Sequence, residues 1–392
     1  MGNFPLLSIL DNDFYKFTMQ HAVVRLFPRA KAKYKFINRG EHPFPDGFDQ
    51  LLKKAVDQMA GLSLLKTEKE YLEKTCPYLA PTYLDFLQGY RYDPSEVEIS
   101  QTGSNLSVEI SGLWYRTIMW EVPIMSLICE LYYQATAQER INDKQVISVA
   151  QEKINKYKAL DIKLAEFGTR RRHSYQVHDL TTKTLVEFGK DVFTGTSNLH
   201  LAMKYQTKPI GTHAHEWFMF HGAKFGFKMA NLLGLENWSN VYRGDLGIAL
   251  SDTYTSKVFF SQFDKKFSKL FDGVRHDSGD PLQFADMTIR HYEENGIDPK
   301  TKTIIFSDGL NYEKVERIAN YCRGKIKISF GIGTSLTNDV GLKPMNIVIK
   351  MTDALPEEGD WTPVIKLSDE KNKHTGDPET IELAKQLLDI ND

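Results

Sequence analysis

The sequence predicts an α/β protein, a (β/α) barrel with an α+β domain at its N-terminal end, and three observations carry that expectation. From about residue 162, short apolar runs alternate with amphipathic helical segments. Before that point the pattern mixes helices with alternating strands and shows no βα rhythm. The length of 392 residues suits two domains, because one barrel alone takes about 250 residues. A doubly wound open sheet is the alternative for the alternating region.

Taken in chain order, Asp11 and Asp13 offer caps for a helix running to about Phe27, which Pro28 ends. Ala32, Tyr34 and Phe36 alternate with lysines and read as a half-buried strand. Phe48, Leu51, Leu52, Ala55 and Met59 recur at helical spacing. Gly103-Ser104 separates the alternating runs Val97–Ser100 and Leu106–Ile110, which is a hairpin signal. Pro123 opens a long helical stretch over 123–160. The barrel strands are then expected at Leu164–Phe167, Val192–Phe193, Pro209–Ile210, Leu246–Leu250, Gly273–Val274, Thr303–Phe306, Ile326–Phe330 and Ile347–Ile349. Helices follow several of them, such as Pro281–Asn295 and Tyr312–Cys322. A strand over Val364–Leu367, a polar loop and a last helix complete the chain. The domains expected are 1–130, joined by the tail 355–392, and a barrel over 131–354.

Composition excludes several classes. The 49 basic and 51 acidic residues leave a formal charge of -2, so a nucleic-acid-coated surface is not expected and anion sites must be local. Cys76, Cys129 and Cys322 form no CxxC pair, so neither a disulfide framework nor a cysteine zinc site is expected. No run of about 18 apolar residues suggests a membrane span. The N-terminus has no basic-then-apolar leader pattern, and Gly2 lacks the Ser or Thr at position 6 that myristoylation needs. A cytoplasmic setting is expected.

The chemistry is concentrated after the strands, where barrel loops converge on one rim. Those segments are Gly168–Arg172, Gly195–Asn198, Gly211–His215, Ser251-Asp252, Arg275–Asp280, Ser307–Gly309 and Gly331–Ser335. Such a set of Gly, Thr, Ser, Asp, Arg and His suits phosphate handling. Gly331–Ser335 lets backbone N–H groups approach an anion, with Thr334 and Ser335 capping the next helix; an ordinary strand-to-helix turn fits equally. Arg170–Arg172 can clamp phosphate or carboxylate, although three successive side chains cannot all point inward and the middle one is a structural candidate. Asp277, after Arg275, can bind ribose hydroxyls or Mg²⁺, whereas Asp280 before Pro281 is a helix cap. HExxH and GxxxxGK[ST] are absent, so zinc and a Walker site are not expected. His215, where a strand end meets a helix, is the best-placed nucleophile or base, with Asp252 as the carboxylate to orient its ring. Tyr15 can stack on an aromatic ligand, or simply pack.

Together, FGTRRRHS (167–174), GTSN (195–198), GTHAHEW (211–217), VRHDSGDP (274–281), FSDGLN (306–311) and FGIGTSLTND (330–339) resemble the nicotinate phosphoribosyltransferase family. DNDFYKFTM near the N-terminus and VIKLSD (364–369) extend the resemblance over essentially the whole chain. It implies the type II phosphoribosyltransferase fold, an irregular (β/α) barrel with an N-terminal α+β domain. It implies the reaction of nicotinate with phosphoribosyl pyrophosphate to nicotinate mononucleotide and pyrophosphate, in NAD biosynthesis, coupled to ATP and formally a ligase reaction. Carried over residue by residue, His215 is the transiently phosphorylated histidine, with Asp252 and Asp277 beside it and holding Mg²⁺. Phe167 stacks on the pyridine ring. Arg275 and Thr212 hold the ring and its carboxylate, and Arg170, Gly309, Gly333 and Thr334 surround the phosphates. A head-to-tail homodimer is implied, in which Tyr15 and Asp13 complete the neighbour's site. His213 and His276 receive no role. A relative acting on nicotinamide or quinolinate is the alternative; quinolinate enzymes need no phosphate-accepting histidine.

Overall fold

The computed structural model describes residues 6–370 and 373–390, so Gly2 lies outside the described residues. The strands are β1 (Lys31–Asn38), β2 (Val97–Thr102), β3 (Asn105–Leu113), β4 (Leu164–Glu166), β5 (Phe193–Thr196), β6 (Lys208–Pro209), β7 (Arg243–Leu246), β8 (Ile248–Leu250), β9 (Gly273–His276), β10 (Thr303–Phe306), β11 (Lys327–Ile332), β12 (Ile347–Leu355) and β13 (Thr362–Pro363). The chain packs as two compact units. One contains the residues up to Gly211 together with Ile332–Met351; the other contains Thr212–Gly331 and the residues from Thr352 on.

In the first unit, β12, β1, β3 and β2 form an antiparallel sheet in that order. The expected hairpin is β2–β3, with Thr102 opposite Asn105 and Val97 opposite Ile110. The alternation of β1 follows its burial, with Ala32, Tyr34 and Phe36 inside and the lysines outward. Three short parallel strands, β4, β5 and β6, complete this unit's sheet structure. The 123–160 stretch is two helices, Glu121–Ala135 and Asp143–Ala159. Ala137 takes a left-handed conformation in the break, and Asn142 and Gln145 form a reciprocal capping box that starts the second helix. The first of these helices is buried continuously from Val122 to Tyr133, so it is a core helix rather than a surface one. It straddles the boundary expected at residue 130, and the packing accordingly groups 131–211 with the N-terminal region.

The second unit is built on β8, β9, β10 and β11, each parallel to the next, with Gly273 level with Ile248 and Thr303, and Thr303 level with Lys327. Seven of the eight expected strand positions are therefore parallel strands, three in one unit and four in the other. The eighth, Ile347–Ile349, lies in β12 of the antiparallel sheet. Length explains the error: β12 has nine residues with alternating burial, unlike the three- to six-residue runs of β8–β11. The residues from Thr352 on group with this unit, and β13 among them pairs antiparallel with the end of β12, Ala354 opposite Thr362. Trp217, Trp238, Phe259, Phe263 and Tyr292 are fully buried in its core. The helices His215–Phe225 and Phe227–Tyr242 are separated only by Gly226, whose positive φ makes the corner. The helices Pro281–Glu294 and Tyr312–Cys322 lie where expected. All three cysteines are buried and free. No helix among the described residues is long and apolar enough to cross a membrane.

Candidate active site

In the first unit the loop after β4 carries Phe167 and the arginine triplet. Its base is set by Glu166, which is fully buried. One carboxylate oxygen accepts the Gly168 N–H, and the other accepts the Thr196 hydroxyl at 2.5 Å and faces His178 Nε2 at 2.8 Å. Burial would raise this carboxyl; His178 and the hydrogen bonds hold it below its ordinary value. Phe167 N donates to Ile332 O (2.8 Å), and a side chain at Gly168 would run into Thr337, so only glycine lets this loop close on Gly333–Thr337. Gly333 caps a helix of just four residues, Thr334–Thr337. Thr334 is its first helical residue and not the cap, because the backbone bonds start from Gly333 O.

The three arginines have different roles, and the structural one is the last, not the middle. Arg172 is fully buried and grips Asp11 with two parallel bonds of 2.7 and 2.8 Å. Asn198 Nδ2 adds a third contact to Asp11 at 2.7 Å. Asp11 therefore does not cap the first helix. Asp13 occupies the N-cap position of Phe14–Leu26, but its side chain makes no cap bond and accepts the Ser197 hydroxyl at 2.7 Å. Burial raises the Asp13 carboxyl despite Arg170 nearby. Arg170 is 41 % exposed, 3.5 Å from Glu121 and 3.9 Å from Asp13. Arg171 is half-buried and makes no ion pair among the described residues; burial and the like charges of Arg170 and Arg39 depress its pKa. Tyr15 is half-buried, with Lys16 Nζ 5.2 Å from its ring centre. Lys16 itself is buried against Glu121 at 2.5 Å.

In the second unit His215 opens the helix that follows Gly211–Ala214. Its Nδ1 lies 3.0 Å from Thr253 Oγ1. Its Nε2 has two neighbours of opposite hydrogen-bonding sense, Asp277 Oδ2 at 3.0 Å and Lys366 Nζ at 2.8 Å. The carboxylate at hydrogen-bond distance from the ring is thus Asp277, and the expected Asp252 is 3.9 Å away. Burial, and then the Lys366 ammonium, hold the imidazole below its ordinary value, so the ring is neutral at pH 7. Burial alone would raise Asp277, but Arg275, His215 and Lys366 hold it well below the usual carboxylate range. Arg275 donates to Asp277 Oδ1 (2.9 Å) and to Ser307 Oγ (2.8 Å). Thr212 donates its hydroxyl to Ile248 O at 3.0 Å, so that proton is already committed. Gly309 has a positive φ, and a side chain there would meet Lys314 Nζ.

Asp252 is buried; its Oδ2 accepts the Ser278 hydroxyl at 2.5 Å, while its Oδ1 has no hydrogen-bond partner. One atom each from His215, Asp252 and Asp277 lie within 4.8 Å of one another. Two carboxylates with one unsatisfied buried oxygen fit a hard divalent cation such as Mg²⁺. Asp280 caps its helix as expected, accepting from Leu282 N and Gln283 N at 2.9 Å. His213 is a packing residue: its Nε2 accepts the Leu250 N–H at 3.2 Å, and its ring sits edge-on to Phe218 and Trp238. His276 packs on Phe284 and Phe306.

The model of the nicotinate phosphoribosyltransferase N-terminal domain matches residues 10–129, and that of the nicotinate phosphoribosyltransferase family matches residues 162–392. The chain belongs to that family. A nicotinate phosphoribosyltransferase of Chromohalobacter salexigens is 64% identical over 98% of both chains. One of Desulforapulum autotrophicum is 50% identical over 97% of this chain and 98% of its own. The crystal structure of nicotinate phosphoribosyltransferase from Porphyromonas gingivalis superposes with a TM-score of 0.96 at 46% identity, covering 98% of this chain and all of that one. The irregular type II α/β fold is accordingly the fold of this chain.

Within this family member, sequence reasoning missed Lys366, Thr253 and Ser278. Thr253 and Ser278 adjoin residues that were singled out, and nothing in their local pattern distinguishes them. Lys366 had a signal: it is the lone charge in Val364–Leu367, whose other residues are buried. The expected strand there is an extended segment that carries an antiparallel bridge between Lys366 and Thr375. That bridge, with Leu367 N bonded to Thr253 O at 2.8 Å, aims the lysine at His215.

Proposed function

We propose that the enzyme joins nicotinate to the phosphoribosyl group of phosphoribosyl pyrophosphate, releasing pyrophosphate, and that ATP drives the reaction through a phosphate carried on His215. The reading rests on one observation above all: an imidazole whose Nε2 lies 3.0 Å from Asp277 and 2.8 Å from Lys366, with Asp252 at 3.9 Å, in a chain of this family. A neutral ring keeps a lone pair for attack on the γ-phosphorus of ATP. The P–N bond forms as the bond to the ADP oxygen breaks, and water later cleaves P–N to regenerate the histidine and release phosphate.

Arg275 takes the nicotinate carboxylate, its guanidinium held in place by Ser307 and Asp277. Thr212 contributes through its backbone N–H, because its hydroxyl proton is donated to Ile248. Phe167 and Tyr15 stack on the pyridine ring. The pyridine nitrogen already has a lone pair, so no base is needed to activate it. Arg170, Arg171 and the loops at Gly309, Gly333 and Thr334 receive phosphate oxygens, and Asp277 takes ribose hydroxyls. When bound at Asp252 and Asp277, Mg²⁺ supplies positive charge against the departing pyrophosphate. The proposed assembly is a homodimer in which Asp13 and Tyr15 serve the partner's site; light scattering would check the mass.

His215→Ala is the decisive variant. ATP turnover and acid-labile protein phosphorylation should disappear, while slow ATP-independent synthesis of the mononucleotide persists. Undiminished ATP coupling would overturn the assignment. Turnover on nicotinate, nicotinamide and quinolinate in parallel tests the substrate, and Arg275 predicts a requirement for the carboxylate.

A further inference from the structure

The cluster around His215 already contains a cation of its own. Lys366 Nζ lies 3.5 Å from Asp252 Oδ2, 3.9 Å from Asp277 Oδ2 and 2.8 Å from His215 Nε2. Those are the three side chains whose atoms are grouped closely enough to ligate a metal ion. A divalent cation and an ammonium cannot share that space, because like charges at such distances repel strongly in a partly buried setting. The lysine arrives on a flexible four-carbon stem, so it can withdraw without moving the fold.

The segment that brings it is anchored in place. Lys366 and Thr375 exchange two backbone bonds of 2.8 Å. Asp369 accepts from Ser256 N (2.7 Å) and Ser256 Oγ (2.5 Å), and its own N–H donates to Ser278 Oγ at 3.0 Å. Ser278 in turn donates to Asp252. The anchor therefore ends on one of the carboxylates that the ammonium neutralises.

We propose that Lys366 is a resident counter-cation that occupies the Asp252–Asp277 pair in the metal-free enzyme and must be displaced for a divalent cation to bind there. In this arrangement the buried Asp252 never stands uncompensated, and the released ammonium is placed to meet a phosphoryl group on His215. The inference rests on the reading of Asp252 and Asp277 as metal-holding residues.

The test measures Mn²⁺ binding to the full-length enzyme, without nucleotide or substrate, from the electron-spin signal of free Mn²⁺. Lys366→Met should lower the Kd by about tenfold or more. Lys366→Arg, which keeps the charge, should stay near wild type. Lys373→Met makes the same change in net charge on the same tail, but Lys373 pairs with Asp308 and Glu370 and not with the cluster, so its Kd should move less than about twofold. Adding Asp277→Asn to Lys366→Met should abolish the gain. An unchanged Kd in Lys366→Met, or an equal gain in Lys373→Met, overturns the displacement while leaving an Asp277-dependent metal site standing. Binding that ignores Asp277 in every background removes the metal reading itself, and the proposal with it. Melting curves confirm that each variant is folded.

Discussion

The two units treat charge in opposite ways. In the first, cations and anions are matched into pairs: Arg172 with Asp11, both fully buried, and Lys16 with Glu121. Arg170 stays partly open to solvent beside them, 3.5 Å from Glu121 and 3.9 Å from Asp13. In the second, charges converge on a few atoms, so that Asp277 faces Arg275, His215 and Lys366 at once. Matched buried pairs make a stiff cradle, because losing either partner leaves a charge stranded out of water. A convergent cluster has several arrangements of similar energy, and suits a place where phosphate and metal must come and go.

Variants can break this contrast, and the largest effect is expected in the matched pair. Asp11→Asn strands the Arg172 guanidinium and should cost about 3–5 kcal/mol of stability, read from urea denaturation. A midpoint equal to wild type would show that the cradle does not depend on the pair. In the cluster, Arg275→Lys keeps the charge and removes the fork. We expect kcat/KM for nicotinate to fall by roughly 10- to 100-fold with little change in melting temperature; a collapse of the fold instead would erase the contrast.

Acid should probe both units. His213 is held down to about 3, by burial first and then by Arg275 and His215. An unfolded histidine titrates near about 6.5. Between those values the unfolded chain binds a proton that the folded chain does not. The stabilisation is therefore complete above about pH 6.5 and is lost as pH falls, by about 1.4 kcal/mol per pH unit for this group. His213→Gln should flatten the stability–pH slope between pH 5 and 6 by about one proton. Asp11, held below its ordinary value against its burial by Arg172, adds a further loss only below about pH 4. The smallest effect is expected at Phe167. Phe167→Leu should raise the KM for nicotinate by about three- to tenfold, with kcat nearly unchanged; an unchanged KM would remove the stacking role.

Much of this was legible in the chain. The hairpin at Gly103-Ser104, the cap at Asp280 and the helix Tyr312–Cys322 follow from residues a few positions apart, whose preferences local geometry enforces. The helix break at 136–142 is invisible to the hydrophobic period, although Asn142 and Gln145 carry a capping signature. β12 reads as a barrel strand because an apolar run does not say which sheet it joins.

The order of strands and helices, and the set of loops in which chemistry is placed, follow from the amino-acid sequence alone. Local propensity and hydrophobic period act over a few residues and need no knowledge of partners. Which charges meet is settled by long-range packing. Arg172 finds Asp11 across 161 positions, and Lys366 finds His215 across 151. No periodicity encodes such pairings. They exist because packing brings buried charges within reach of one another, and a buried charge without a partner would be too costly to keep.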